Sequence, residues 1–388
     1  MSDTPIAAGG EQARQVLDSV ERFLERDVRP HVHALEKSDT YPAEIVEQMK
    51  ALGLFGCTIP AEYGGLGLSA GLYAQVVERI ASAWMSLAGI FNSHLIMSAA
   101  VYRFGTEAQR RAYLPRFASG ALRGGLALTE PNCGTDLQAI RTVARRDGDE
   151  YVVNGTKTWI SNGIHGSCFA LLVKTDPHAE PRHRGMSLFV AEKGAGFEVG
   201  RKLEKLGYKG IDSAELVFDD YRIPADRLIG GQPGFGMRHA LGGLELGRIN
   251  VAARGVGVAQ AALTEALRYA QIRTTFGKPI AQHQAIQIKL ADMATQVVAA
   301  RLLTERAAQV YDAGQRCDLE AGMAKLAASE AAVSVSLEAM RIHGAYGYST
   351  EFPVERFYRD APLMVIGEGT NEMQRIIIAR QLVERNPA

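Results

Sequence analysis

The chain has 388 residues, room for two or three domains, and its 47% apolar and 22% charged content is that of an ordinary soluble globular protein. Lys plus Arg total 43 and Asp plus Glu total 43, and the absence of any dense basic run excludes an extended nucleic-acid or anionic-membrane surface. No uninterrupted apolar run approaches the roughly 20 residues of a membrane span, the nine histidines are too dispersed for a metal site, and four scattered cysteines without CxxC spacing read as reduced thiols.

In chain order the texture changes twice. Up to residue 122 it is helical: Glu11 to Arg26 puts Val16, Val20, Phe23 and Leu24 on one face, Glu44 to Leu52 follows, and a long small-residue helix runs from Tyr73 to Arg103. From 123 to 235 strands are expected. Tyr151-Val152-Val153 and Thr156 to Ile160 flank Asn154-Gly155, which predicts a hairpin with a type I′ turn. Phe169 to Lys174, Met186 to Ala191 and Ala214 to Phe218 are further strands. From 236 to 388 long helices return over Ala252 to Arg273, Ala285 to Ala313 and Leu319 to His343, with the three-and-four spacing of antiparallel bundles. The first thirty residues lack the basic-then-apolar order of a signal peptide and are too acidic for a mitochondrial presequence, so a cytoplasmic location is expected.

Five segments carry chemistry. Leu128-Thr129-Glu130-Pro131-Asn132-Cys133-Gly134-Thr135-Asp136 crowds turn formers and hydroxyls as a ligand-binding loop would, and a plain connecting turn would use the same residues. Trp159-Ile160-Ser161-Asn162-Gly163 offers an aromatic plane and a hydroxyl, or else a core tryptophan ending a strand. Arg273 to Gln284 joins two bundle helices and combines a guanidinium suited to pyrophosphate with polar His283 and Gln284. Arg341-Ile342-His343-Gly344-Ala345-Tyr346 is a helix end running into a glycine turn, where His343 is a capping or core residue. In Ile366-Gly367-Glu368-Gly369-Thr370-Asn371-Glu372, two glycines free the backbone around an acid. Thr370 is the expected N-cap of a final helix with an apolar stripe of Met373, Ile376, Ile377 and Leu382.

Taken together and in this order, these segments resemble the acyl-CoA dehydrogenase family of flavoenzymes over nearly the whole chain. The Thr-Glu-Pro loop, the Trp-Ile-Ser strand end, Arg-x-x-Phe-Gly with a later His-Gln, and Glu-Gly-Thr before the last helix carry the resemblance. It implies an N-terminal all-α domain (1–122), a middle β-barrel domain (123–235) and a C-terminal four-helix bundle (236–388), binding FAD in a homotetramer. Leu128, Thr129, Thr135, Trp159 and Ser161 are expected around the flavin. Arg273, Thr275, Phe276, His283 and Gln284 are expected to reach a partner subunit's FAD, and Arg341, Gly344, Ala345, Thr370 and Glu372 to lie near the dinucleotide. Glu245, Arg248, Gly369 and Thr135 are expected at the acyl-CoA. Glu368 matches the base that removes the α-proton of the thioester, while the β-hydride leaves for the flavin and electrons pass on to electron-transferring flavoprotein.

Departures from the family pattern bear on the substrate. One branch places its base before a bundle-helix arginine, here Arg248, and the preceding residue is Gly247, which has no acid. Gly367 stands where many straight-chain members carry Tyr, which suggests a wider pocket for a branched, cyclic or aryl acyl group. Met85 falls where members acting on glutaryl-CoA carry Arg, which disfavours dicarboxylic substrates. Arg341 and Ala345 replace a frequent Gln and Gly. The alternatives are an oxygen-using oxidase or monooxygenase, whose monooxygenase branches usually lack the base, and a protective member of the DNA-associated branch, which adds a basic C-terminal region.

Overall fold

The computed structural model describes residues 10–387; residues 1–9 and 388, the outer ends of the first and third expected domains, lie outside the described residues. Helix α1 (Glu11–Phe23) buries Ala13, Leu17, Val20 and Phe23 and passes through one π-helical turn, Leu24–Val28, into α2 (Arg29–Lys37). α3 (Ala43–Ala51) precedes α4 (Ala70–Phe104), which Ser69 caps by accepting from the Leu72 amide. α4 is long and apolar enough to cross a membrane by composition, yet 89% of its most apolar window is buried inside the fold. It is also broken once, at Trp84 (φ −158°, ψ 108°), whose indole donates to Glu36. α5 (Glu107–Ala118) begins with a reciprocal capping box between Thr106 and Gln109.

The middle region is a curled seven-stranded sheet. β1 (Gly124–Ala127), β2 (Val143–Asp147), β3 (Glu150–Ser161), β4 (Cys168–Lys174), β5 (Met186–Glu192), β6 (Phe197–Lys202) and β7 (Ser213–Pro224) are its strands. β2, β3, β7 and β6 pair antiparallel in that order, β4 takes β1 in parallel and β5 antiparallel, and β2 meets β4 at the single register Val143–Lys174.

The expected hairpin at Asn154-Gly155 is absent, because both residues lie inside the continuous strand β3. The register against β7 shifts between Val153 and Gly155, so the pair marks a bulge. Gly155 is required there because a Cβ would stand 2.5 Å from Thr142 Oγ1, and Asn154 bonds across to Asp220 rather than turning the chain. The real hairpin turn is Gly148-Asp149, with Gly148 at φ 62° and Asp147 paired with Glu150.

After α6 (Gly236–Gly242), the third region consists of α7 (Leu244–Ile272), α8 (Gln284–Asp312), α9 (Asp318–His343), α10 (Val354–Ile366) and α11 (Asn371–Arg385). Alanines and glycines along α7 let it pack closely between α4 and α9 in one continuous apolar core. The four cysteines are free and buried. The stripe expected on α11 is not its inner face: Ile376 and Leu382 are exposed and Met373 and Ile377 only half-buried, while Asn371, Gln374 and Gln381 face inward. Buried polar partners on α9, chiefly Lys325 and Ser329, decide that orientation.

Candidate active site

Glu368 sits in the turn between α10 and α11. Thr370 caps α11 as expected, accepting from the Met373 amide. The flanking glycines act differently from expectation. Gly367 has an ordinary φ of −72°, and Glu368 itself takes the left-handed region at φ 55°, followed by Gly369 at 87°. A non-glycine residue held at such a φ is strained by roughly 1 kcal/mol or more, and needs surroundings that over-determine it. Those surroundings are visible. The buried Lys325 ammonium donates to the carbonyls of Val365 and Gly369 and to Asn371 Oδ1, and Gln374 donates to the Gly369 carbonyl.

One carboxylate oxygen of Glu368 is clamped. Oε1 accepts from Asn92 Nδ2 at 2.8 Å and from Arg254 Nη2 at 2.9 Å. The other, Oε2, is buried with no partner among the described residues. Burial raises the carboxyl pKa, and the Arg254 charge, the Asn92 hydrogen bond and Lys325 oppose the rise without cancelling it. Oε2 points at Gly247 of α7, where a Cβ would stand only 2.5 Å away. Gly247 and Glu368 thus face each other across one space. Gly367 also leaves room: a Cβ there would meet only the Leu363 carbonyl, at 3.2 Å.

Arg248 and Glu245, expected at the acyl-CoA, are each engaged by a partner side chain. Arg248 pairs with Asp318 at 3.1 Å, and Glu245 lies 3.6 Å from Arg103. The residues that bond Glu368, namely Arg254 and Asn92, and Lys325, which anchors its turn, were not singled out. A signal for Arg254 existed, since it is the lone charge in the small apolar run Val251-Ala252-Ala253-Arg254-Gly255-Val256-Gly257.

The second cluster lies on the loop after β1 and on β3. The Thr158 amide donates to the Thr129 carbonyl, so the Leu128–Thr129 loop lies against the strand that carries Trp159 and Ser161. A buried ion pair fixes that loop: Lys157 Nζ lies 2.8 Å from Glu130 and donates to the Leu128 carbonyl, and Glu130 also accepts from the amides of Arg141 and Thr142. Burial pushes the Glu130 carboxyl up, but Lys157 and these hydrogen bonds bring it below its ordinary value. Trp159 is not the core residue of the alternative reading, because its side chain is 57% exposed at a φ of 58°. Thr135 is exposed and Ser161 half-buried. An exposed indole beside hydroxyls and a pinned loop suits a planar heteroaromatic ligand, and so fits the FAD that the resemblance implies.

The remaining candidates form separate groups. Arg273 to Gln284 is a short ladder of Thr274–Thr275 with Lys278–Pro279, not a bare loop, with Phe276 and Gly277 at its tip. Thr275 Oγ1 bonds His283 Nε2 at 3.0 Å, while Arg273, Phe276 and Gln284 are exposed, Phe276 by 96%. Arg341 is paired with Glu338, Gly344 (φ 62°) and Ala345 are exposed, and His343 is a core residue bonded to the Ala339 carbonyl and stacked on Tyr269. Glu372 is exposed in the first turn of α11, where backbone and Thr370 hydrogen bonds lower its pKa. A cleft of about 430 Å³ between α2, α4, α7 and α10, lined by residues including His33, Gln260 and Arg356, does not include Glu368.

Known proteins share the sequence pattern and the fold. Residues 10–121 match the acyl-CoA dehydrogenase N-terminal domain, 125–221 its middle domain and 234–383 its C-terminal domain. The acryloyl-CoA reductase (NADH) of Anaerotignum propionicum is 41% identical over 367 residues, covering 94% of this chain and 92% of that one. Butyryl-CoA dehydrogenase from Megasphaera elsdenii superposes with a TM-score of 0.93 at 35% identity, over 96% of this chain and 98% of its own. Glutaryl-CoA dehydrogenase from Mycobacterium smegmatis, solved in complex with FADH2, superposes with a TM-score of 0.89 at 27% identity, over 97% of this chain and 95% of its own. The chain belongs to the acyl-CoA dehydrogenase family, FAD-dependent oxidoreductases that act on CH–CH bonds.

Proposed function

We propose that the protein oxidises an acyl-CoA thioester to the trans-2-enoyl-CoA, with Glu368 as the base that removes the α-proton. The observation that carries this reading is the asymmetry of the carboxylate, with Oε1 held by Asn92 and Arg254 and the buried Oε2 unpartnered. A base needs a free lone pair at a fixed place, and burial raises its affinity for the proton. The strained φ of Glu368 and the Lys325 anchors beneath the turn hold that oxygen in position. FAD, when bound, supplies the acceptor for the β-hydride.

The roles of the other residues follow the family pattern. Leu128, Thr129, Thr135, Trp159 and Ser161 form the flavin surface, with Glu130 and Lys157 fixing its loop. Arg273, Thr275, Phe276, His283 and Gln284 reach a neighbouring subunit's FAD, and Arg341, Gly344, Ala345, Thr370 and Glu372 lie near the dinucleotide. Glu245, Arg248, Gly369 and Thr135 serve the acyl-CoA, and domains of 1–122, 123–235 and 236–388 carry these groups. Electron-transferring flavoprotein is the acceptor and the assembly is a homotetramer. The exposed Phe276, Ile376, Leu382 and Val383 support self-association, since such side chains gain by burial against another copy. Neighbours named for butyryl-CoA and for glutaryl-CoA superpose comparably, so likeness does not choose the acyl group.

The test is anaerobic stopped-flow bleaching of the flavin. Glu368→Gln should retain FAD and bind acyl-CoA yet lose reduction by at least a thousandfold, on the scale of removing an essential base. Near-normal bleaching by that variant would refute the assignment.

A further inference from the structure

Arg254 is an unusual neighbour for a base whose substrate is an apolar acyl chain. It lies on α7 with 4% of its surface exposed; Nη2 donates to Glu368, Nη1 donates to the Tyr208 hydroxyl at 3.2 Å, and Nε has no partner among the described residues. Tyr208 is placed for this contact. Its backbone is held at φ 57°, its amide donates to Asp360, and Gly89 leaves the space for its hydroxyl, since a Cβ there would fall 1.4 Å from it. The same small volume holds the Asn92 amide and, below the turn, Lys325. Two cations, Arg254 and Lys325, therefore act on a single carboxylate.

The reaction makes this imbalance worse. As Cα loses a proton to Glu368 and Cβ loses hydride to the flavin, the double bond forms, the two electrons leave with the hydride, and the acyl group stays neutral. Glu368 becomes a neutral acid, and the buried Arg254 guanidinium is left facing Asn92 and Tyr208, neither of which carries charge. A buried cation deprived of its anion is strongly unfavourable. Before the reaction, the same guanidinium weakens Glu368 by stabilising its charged form. An acyl chain made only of carbon and hydrogen relieves neither cost. A second carboxylate on the acyl group relieves both, by taking the Nε and Nη2 edge of the guanidinium, of which Glu368 now uses only one nitrogen.

We propose that Arg254 is a specificity-determining residue and that the preferred substrates are short CoA thioesters whose acyl group carries a second carboxylate within a few bonds of Cα, received by Arg254 and Tyr208. This rests on Glu368 being the α-proton base. It also reverses the expectation drawn from Met85, which is buried in the core of α4 and carries no charge. Arg254 supplies from α7 the cation that position 85 lacks.

The test compares glutaryl-CoA and methylsuccinyl-CoA with the terminal carboxamide of glutaryl-CoA, a neutral isostere, and with pentanoyl-CoA. The readout is anaerobic flavin reduction by the wild-type holoenzyme. The expected result is a kcat/KM for the carboxylates at least 100-fold above that of the carboxamide, because a buried polar site left unpaired discriminates strongly. In Arg254→Met that ratio should collapse, through KM more than kcat, and Arg254→Lys should recover part of it. Binding to Glu368→Gln, read by calorimetry, should show the same preference without turnover. Equal or better reduction by pentanoyl-CoA or the carboxamide overturns the proposal and leaves the dehydrogenase reading standing, and so does an Arg254→Met variant that slows every thioester by one common factor. If no thioester bleaches the flavin, the dehydrogenase reading falls and this proposal falls with it. The wild-type comparison decides the matter even if the variants do not fold.

Discussion

Gly247→Ala adds one methyl group at the point where α7 faces the base. Its Cβ would stand 2.5 Å from Glu368 Oε2 and 2.9 Å from Ile96 Cδ1, against ordinary contact beginning near 3.4 Å. The carboxylate must therefore retreat by about 0.9 Å, and Ile96 by about half as much. A glutamate in solvent would swing aside at little cost. Here Oε1 is tied to Asn92 and Arg254 and the backbone is held at φ 55°, so the retreat displaces the reacting oxygen. Misplacing a reacting group by about 1 Å costs roughly 100-fold in rate, or ~2.7 kcal/mol of barrier. Stability should change little, because alanine in a helix interior gains ~0.5–1 kcal/mol over glycine and mild overpacking returns a similar loss. The assay is the stopped-flow reduction rate at saturating acyl-CoA, with flavin content and the urea midpoint measured on the same preparation. A stable, flavin-loaded Gly247→Ala enzyme reduced within threefold of the wild-type rate would show that the clamp does not fix Oε2, and the argument from asymmetry would fail.

Two further predictions concern the scaffold. His94 is buried on α4, its Nε2 bonded to the Phe117 carbonyl, and burial lowers its pKa to about 4 from the ordinary 6.5. The unfolded chain takes up the proton first as pH falls, so stability present above pH 6.5 is lost down to about pH 4, by on the order of 3 kcal/mol. His94→Gln should lose correspondingly less between pH 7 and pH 4.5 in urea titrations, and parallel losses would refute the assignment. Lys157→Met should cost ~3–5 kcal/mol by stranding Glu130 as a buried charge. It should also lower bound flavin, read from absorbance, by releasing Leu128. Adding Glu130→Gln should restore most of the stability, and a single variant that loses less than ~1 kcal/mol would count against the buried pair.

The three-part architecture was legible because helical and strand periodicities change near residues 123 and 236, and long bundle helices carry strong patterns. The Asn154-Gly155 turn was misread because local turn chemistry also suits a bulge, and only the neighbouring Thr142 reveals which use is made of it. Strands β1, β2 and β6 carried too little patterning to be recognised: β1 has four residues, and β6 buries only Phe197. Glu368 stood out because its flanking glycines and the cap after it are local features. Arg254 and Asn92 reach its carboxylate, Tyr208 reaches Arg254 and Lys325 reaches its turn, from four segments 43 to 276 residues away in sequence, and beyond the lone charge of Arg254 in an apolar run no local pattern announces such a meeting. The inward face of α11 failed for a related reason. Its partners lie on α9, and polar partners there outweigh the apolar preference of the helix itself.

Lys325 gives the turn a proton inventory. As an ammonium it has three N–H groups for three oxygen acceptors, those of Val365, Gly369 and Asn371. Burial brings its pKa down to about 8, with the Glu368 charge opposing the fall. Above that pH the neutral amine has two donors for the same three oxygens, and one strand of the tether beneath the Glu368 turn must slacken. Deprotonation of Lys325 above about pH 8 is therefore expected to loosen the turn that carries Glu368, a change set by a residue that makes no hydrogen bond to the Glu368 carboxylate itself.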